Sequence, residues 1–227
     1  RQRQMCIRDR IMSEGRDFVT AIFDKNLRLV AQKDYIPILS AALPVAMKEI
    51  AKSWQGEVYE GDVFIHNDSG SGNNHLPDIN VVKPVFYQGE LLFWVATKAH
   101  HVDVGGSGAA GYAAGATHIR EEGIRIPPVK LYDKGKYNRS VWDMILNNNN
   151  IPFLVEGDLH CQRGACVVGE RALLALLNKY GVETIYAAID EILEATERDV
   201  RGRISAIPDG VYYGESKLDH DGVNKDK

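Results

Sequence analysis

The chain has few cysteines, no long apolar run and no excess of positive charge, and each shortage removes a class of protein. Cys6, Cys161 and Cys166 are the whole cysteine complement of 227 residues. An odd, sparse set does not make a disulfide scaffold and favours a reducing cytoplasm. No apolar stretch approaches the roughly 18–20 residues that a membrane-spanning helix needs, so no membrane partner is expected. With 27 Lys and Arg against 31 Asp and Glu the net charge is −4, and no basic patch with interleaved aromatics offers a footprint for nucleic acid. The opening RQRQMCIRDR lacks apolar periodicity and the apolar segment of a secretory signal. It reads as translated adapter or vector sequence, a non-native extension over residues 1–10. The ending LDHDGVNKDK, after a strand-like Val211-Tyr212-Tyr213, is polar, so residues 11–227 read as one partial domain of a longer protein. No repeat or linker divides them.

What is present has the pattern of an α+β fold, a mixed or antiparallel sheet with hairpins followed by packed helices. Residues 17–24 read as a strand, Lys25-Asn26 as a turn and 27–31 as the hairpin partner. Residues 40–54 carry Leu43, Met47, Ile50, Ala51 and Trp54 at helical spacing. Ser40 is placed to cap that helix, and Pro44 is tolerable there only near its start. Val63-Phe64-Ile65 is a short strand, and 79–87 and 91–99 are longer ones joined by a turn at Gln88-Gly89. Pro127 and Pro128 make 123–128 extended. Helices are predicted over 140–146, 167–179 and 182–204. In the last, Ile185, Ile189, Ile192, Leu193 and Thr196 share one face, as in a packed helix.

Four of the seven histidines fall between positions 66 and 101. His75-Leu76-Pro77-Asp78 leads into one long strand, and His100-His101-Val102-Asp103 closes the next. Imidazole nitrogen and carboxylate oxygen suit zinc, manganese or iron(II). The proline between His75 and Asp78 argues for a tight turn, which brings side chains three apart to one point. In an antiparallel hairpin the start of the first strand lies beside the end of the second. His75 and Asp78 are therefore expected near His100, His101 and Asp103. Adjacent strand residues face opposite ways, so one of His100 and His101 is expected as a ligand and the other in support; the spacing does not choose. His66 reads more as a structural residue.

Three further stretches are weighed against plainer readings. Asp68, with Asn67 and Ser69, fits equally a third carboxylate of a substrate or metal loop and an Asx-turn. In Gly157-Asp158-Leu159-His160-Cys161-Gln162, Asp158 is expected in a turn ahead of an apolar helix. Helix capping is the commoner fate of such a carboxylate and catalysis the rarer. Cys161 and Cys166 lack a common zinc spacing and read as buried, inert thiols. The run 105–115 holds five glycines but lacks the ending of a phosphate-binding loop, so it is expected as a flexible cover over substrate.

Four ordered stretches resemble the hydantoinase B/5-oxoprolinase family, which also takes in acetone carboxylase alpha-type subunits. They are Gly61-Asp62-Val63-Phe64 with His66-Asn67-Asp68, His75-Leu76-Pro77-Asp78, the run 99–106 (AHHVDVGG), and the run 122–132 (EGIRIPPVKLY). The turn at Gly157 and the helix from Gly169 resemble it too, and the likeness covers roughly Ile11 to Glu215. It implies a divalent metal (Mn, Zn or Fe) held by His75, Asp78 and His100. His101 and Asp103 would then shuttle protons or orient ligands, with Asp68 and Asp158 as further catalytic candidates. It also implies ATP-dependent opening of a hydantoin- or 5-oxoproline-type cyclic amide, in a hetero-oligomer with an A-type subunit. ATP and its magnesium would sit on that partner only, with no nucleotide site here and no activity from a fragment alone. Two alternatives are a ketone carboxylase subunit, whose metal stabilises an enolate, and a non-catalytic assembly subunit with structural histidines. The loop 69–74 (SGSGNN) departs from the family's aromatic and paired glycines, which puts substrate contacts there in question.

Overall fold

The computed structural model describes residues 10–108, 112–113 and 115–217. Residues 1–9 of the opening stretch, Cys6 among them, and the polar ending 218–227 lie outside the described residues. The chain falls into two units that meet between Ile185 and Tyr186. The first runs through α1 (Arg10–Ser13), β1 (Phe18–Asp24), β2 (Leu29–Asp34), α2 (Pro37–Ser53), β3 (Val63–His66), β4 (Asp78–Tyr87) and β5 (Glu90–His100). It continues through α3 (Ile119–Glu122), β6 (Val129–Asp133), β7 (Lys136–Tyr137), α4 (Arg139–Asn147) and α5 (Pro152–Tyr180). The seven strands form one sheet in the order β2-β1-β5-β4-β3-β6-β7, antiparallel at every pairing. This is the expected α+β class, with the sheet wholly antiparallel.

The turns set the registers. Asp24 is buried, and its carboxylate accepts from the backbone of Asn26 and Arg28 at 2.9 and 2.8 Å. This holds a longer turn than Lys25-Asn26 alone and starts β2 two residues later than expected. Gln88 and Gly89 both have positive φ, 52° and 86°, the two-residue turn whose twist suits a tight hairpin. Together with a bulge at Leu92, which the pairs Phe86–Leu91 and Val85–Phe93 skip, it makes Asp78 the partner of His100 and Asn80 the partner of Lys98.

One face of the sheet packs under α2. Val19, Ala21, Phe23, Phe64, Val82, Trp94 and Ala96 meet Leu39, Leu43, Met47 and Ile50 there. The helix begins at Pro37, whose fixed φ suits a first helical position. Ser40 therefore does not cap it, because its hydroxyl donates to Pro37 O at 2.8 Å from inside the helix. Pro44 likewise lies within the helix.

The opposite face carries α5. Its buried residues Val155, Asp158, Leu159, Gln162, Cys166, Leu173 and Leu177 follow helical spacing. Gly169 lets the helix approach closely, since a Cβ there would come within 2.8 Å of Val95 Cγ1. The expected helix start at 167 is corrected by fifteen residues. The stretch 157–162 is not a turn, and Asp158 is not a capping residue but sits buried within the helix.

In α6 (Val182–Ser205) Ile189 is buried, but Ile192 is 53% exposed, so the expected packed face is only partly covered. Within the second unit its outer surface carries Arg201–Glu197 and Arg203–Asp199 pairs one turn apart. Val211-Tyr212-Tyr213 forms no strand. Among the described residues no helix is long and apolar enough to cross a membrane.

Candidate metal centre

The β4–β5 hairpin brings three side chains together at its open end. Asp78 N donates to His75 O at 3.1 Å, closing the His75–Asp78 turn. The Asp78 carboxylate, fully buried, then lies between two imidazoles. His75 Nε2 is 3.1 Å from its Oδ2, and His100 Nδ1 is 3.2 Å from its Oδ1. One donor atom from each of His75, Asp78 and His100 falls within 4.8 Å of the others. Burial alone would raise the Asp78 carboxyl, but hydrogen bonds and charge from His100 and His75 outweigh it and hold it below its usual range. Two imidazole nitrogens and an ionised carboxylate are a donor set that fits Zn²⁺, Mn²⁺ or Fe²⁺.

His75 keeps one third of its side chain exposed, whereas His100 is nearly closed off. Tyr112, 67% exposed, stacks on His100 with ring centres 5.6 Å apart and lies 6.0 Å from the His75 ring. Asp17, just ahead of β1, places Oδ2 4.0 Å from His100 Nδ1, and its backbone carbonyl accepts the His100 N–H at 3.0 Å. It is a neighbouring carboxylate that sequence reasoning missed, because only the β1–β5 pairing brings it there.

Asparagines hold the loop before the cluster. Asn73 Nδ2 lies within 2.9 Å of the carbonyls of Asn67, His75 and Asp78. Asn67 Nδ2 donates to Leu76 O at 2.8 Å, and Asn67 Oδ1 accepts from Ile126 N at 2.7 Å. Asn80 links Asn73 to the His66 carbonyl. His66 Nε2 is 2.9 Å from Ser71 Oγ, and burial lowers its pKa to about 4. The segment that departs from the family pattern is thus a polar scaffold for the His75–Asp78 turn.

The other candidates lie elsewhere. His101, buried, faces α5, with Nε2 2.8 Å from Gln162 Oε1. Gln162 Nε2 donates in turn to Ile79 O at 2.9 Å. Asp103 accepts from Gly105 N at 2.9 Å, Asn150 Nδ2 at 3.0 Å and Ile151 N at 2.7 Å, which ties it to the start of α5. Asp68 forms the Asx-turn, accepting from Gly70 N, and is gripped by Arg125 through both carboxylate oxygens. Its surface recess is lined by Arg120, Gly123, Arg125 and Pro127. Asp158 is buried within α5. Cys166 is buried, which pushes its thiol up to about 12, while Cys161 is half-buried. Of the run 105–115, residues 109–111 and 114 lie outside the described residues.

Lys98 was also missed. It is fully buried on the cluster's side of β5, and its Nζ donates to Asn74 Oδ1 at 2.6 Å. Burial lowers its pKa to about 8 despite the nearby Asp78 charge.

Known proteins share this arrangement of chain. Caprolactamase subunit beta of Pseudomonas jessenii is 40% identical over 227 residues, spanning 97% of this chain and 39% of that protein. The crystal structure of ATP-dependent caprolactamase from the same organism superposes with a TM-score of 0.85 at 42% identity, over 89% of this chain and 35% of that one. A nucleotide-free acetone carboxylase structure gives a TM-score of 0.75 at 20% identity, over 82% and 25% of the two chains, a likeness of fold alone. The chain thus spans little more than a third of its caprolactamase relative. A family model described as hydantoinase B/oxoprolinase matches residues 8–226, and the chain belongs to that family.

Proposed function

We propose that this chain is the metal-holding part of a subunit that opens a cyclic amide at the expense of ATP. The observation that carries the reading is the convergence of His75, Asp78 and His100 in a chain 40% identical to a caprolactamase subunit. His75, Asp78 and His100 would hold a divalent ion, with Asp17 as a neighbouring carboxylate. When bound, such an ion supplies Lewis-acid polarisation of a carbonyl oxygen and a lowered pKa for water.

This chain's own residues supply the rest. His75 and Tyr112 border the exposed side of the cluster, where a small ring would approach. Asp78 is kept ionised by the two imidazoles and so remains a ligand rather than an acid. His100, closed off on the buried side, fixes the carboxylate's other oxygen. His101 and Asp103 serve by position, one against α5 and the other at its start. Asp158 supports the same helix from within. Asp68, held by Arg125, shapes a recess away from the cluster. ATP and its magnesium are assigned to a partner A-type subunit in a hetero-oligomer.

The test is metal analysis of the full-length protein, together with ATP-dependent consumption of caprolactam, hydantoin and 5-oxoproline by the protein and its partner. His75→Ala and His100→Ala should each lose the metal and at least about a hundredfold in turnover. Unchanged metal content and turnover in both variants would leave the histidines a structural role in an assembly subunit. ATP-dependent consumption of acetone with bicarbonate, and of no amide, would assign the ketone carboxylase branch instead.

A further inference from the structure

Lys98 is fully buried beside the cluster, and its ammonium bonds to a neutral side chain. Its Nζ donates to Asn74 Oδ1 at 2.6 Å, and Asn74 Nδ2 donates to Asp78 Oδ2 at 2.7 Å. An ammonium donates only, so it fixes which end of the amide faces it. With the Asn74 oxygen turned to Lys98, the amide nitrogen must face the carboxylate. Were the amide reversed, its oxygen would oppose Asp78 Oδ2, two acceptors in contact. A buried ammonium is costly without compensating partners, and a hydrophobic residue would fill the same space more cheaply. Such a group is worth keeping where it sets the orientation of something else.

We propose that Lys98 is a positioning residue that acts through Asn74 to aim the Asp78 carboxylate at the metal. The inference rests on the metal centre proposed above and adds a residue on a different strand position from any ligand. It makes a prediction whose sign opposes simple electrostatics. Charge repulsion alone would have a nearby ammonium weaken divalent cation binding, so its removal would tighten the site. Positioning has the opposite sign: its removal loosens the site.

The experiment measures Zn²⁺ affinity of the apo full-length protein by competition with a chromophoric chelator, with melting of each apo form as a check on folding. Lys98→Met keeps the chain length and removes the charge. Asn74→Ala breaks the same relay from a half-buried loop position, and it decides the matter alone if Lys98→Met fails to fold. Each is expected to weaken Zn²⁺ binding by roughly ten- to a hundredfold. The double variant should lose little more than the worse single, because both break one chain of bonds. Affinity unchanged in Asn74→Ala, tighter in Lys98→Met, or losses that simply multiply would each overturn the inference while leaving the metal centre standing. Wild-type protein that takes up no Zn²⁺ would overturn both.

Discussion

His100 and His101 are neighbours in the chain whose side chains serve opposite faces of the sheet. His100 Nδ1 lies 3.2 Å from Asp78 Oδ1 on the α2 side, and His101 Nε2 lies 2.8 Å from Gln162 Oε1 of α5 on the other. The alternation of a strand carries on for one residue past the end of β5, and it divides two identical side chains between the candidate metal cluster and a packing layer.

That division is open to mutation. His101→Leu leaves Gln162 Oε1 buried without the imidazole and should cost about 1–3 kcal/mol of stability. Its Zn²⁺ affinity should stay close to that of the wild type. Chemical denaturation and chelator competition on the same sample separate the two effects, and a large loss of affinity would place His101 at the metal.

Asp103 should behave as a clamp on α5. Its carboxylate accepts from Gly105 N, Asn150 Nδ2 and Ile151 N, so Asp103→Ala leaves three part-buried donors without it and is expected to cost about 1–2 kcal/mol. The denaturation midpoint reports this directly. A variant of unaltered stability but lost turnover would restore a catalytic role to Asp103.

Gly105 has φ of 77°, and a Cβ there would sit 1.7 Å from Asn148 O. Gly105→Ala therefore meets both a left-handed backbone and a backbone clash, and should destabilise by at least about 3 kcal/mol. Poor expression or a much lower melting temperature is the expected readout, and near-native melting would contradict the close approach.

Acid stability should depend on His66. Burial lowers it from 6.5 to about 4 in the folded chain, so between those values the unfolded chain binds a proton that the folded one does not. Stability is whole above that window and falls as pH drops through it, by about 2 kcal/mol at about pH 5. His66→Gln removes the titrating group, so the wild type should lose more stability than the variant between about pH 7.5 and about pH 5. Equal losses would show that His66 titrates normally.

The hairpin and its cluster were legible because both depend on local chemistry. Gln88-Gly89 is a turn of known twist that brings the start of β4 beside the end of β5, but a bulge at Leu92 shifts the register by one, so Asp78 pairs with His100 and not with Ala99. The start of α5 was not legible. Asp158 and Gln162 interrupt its apolar stripe, and the partners that make Gln162 acceptable there, Ile79 O and His101, come from the sheet. Asp68 had two equal readings, and Arg125, fifty-seven positions away, accompanies the Asx-turn that forms.

The sequence by itself determined β1, β3, the β4–β5 hairpin and the meeting of its histidines and carboxylates at one end, because turn chemistry and periodicity act over a few residues, and its ordered motifs carried the family resemblance and the ligand set that resemblance implies. The tertiary structure decided which histidine faces the cluster, that Asp17 approaches it from just ahead of β1, and that Lys98 reaches Asn74 across twenty-four positions. Such pairings join positions far apart in the chain, and only the folded sheet and loop bring them within bonding distance.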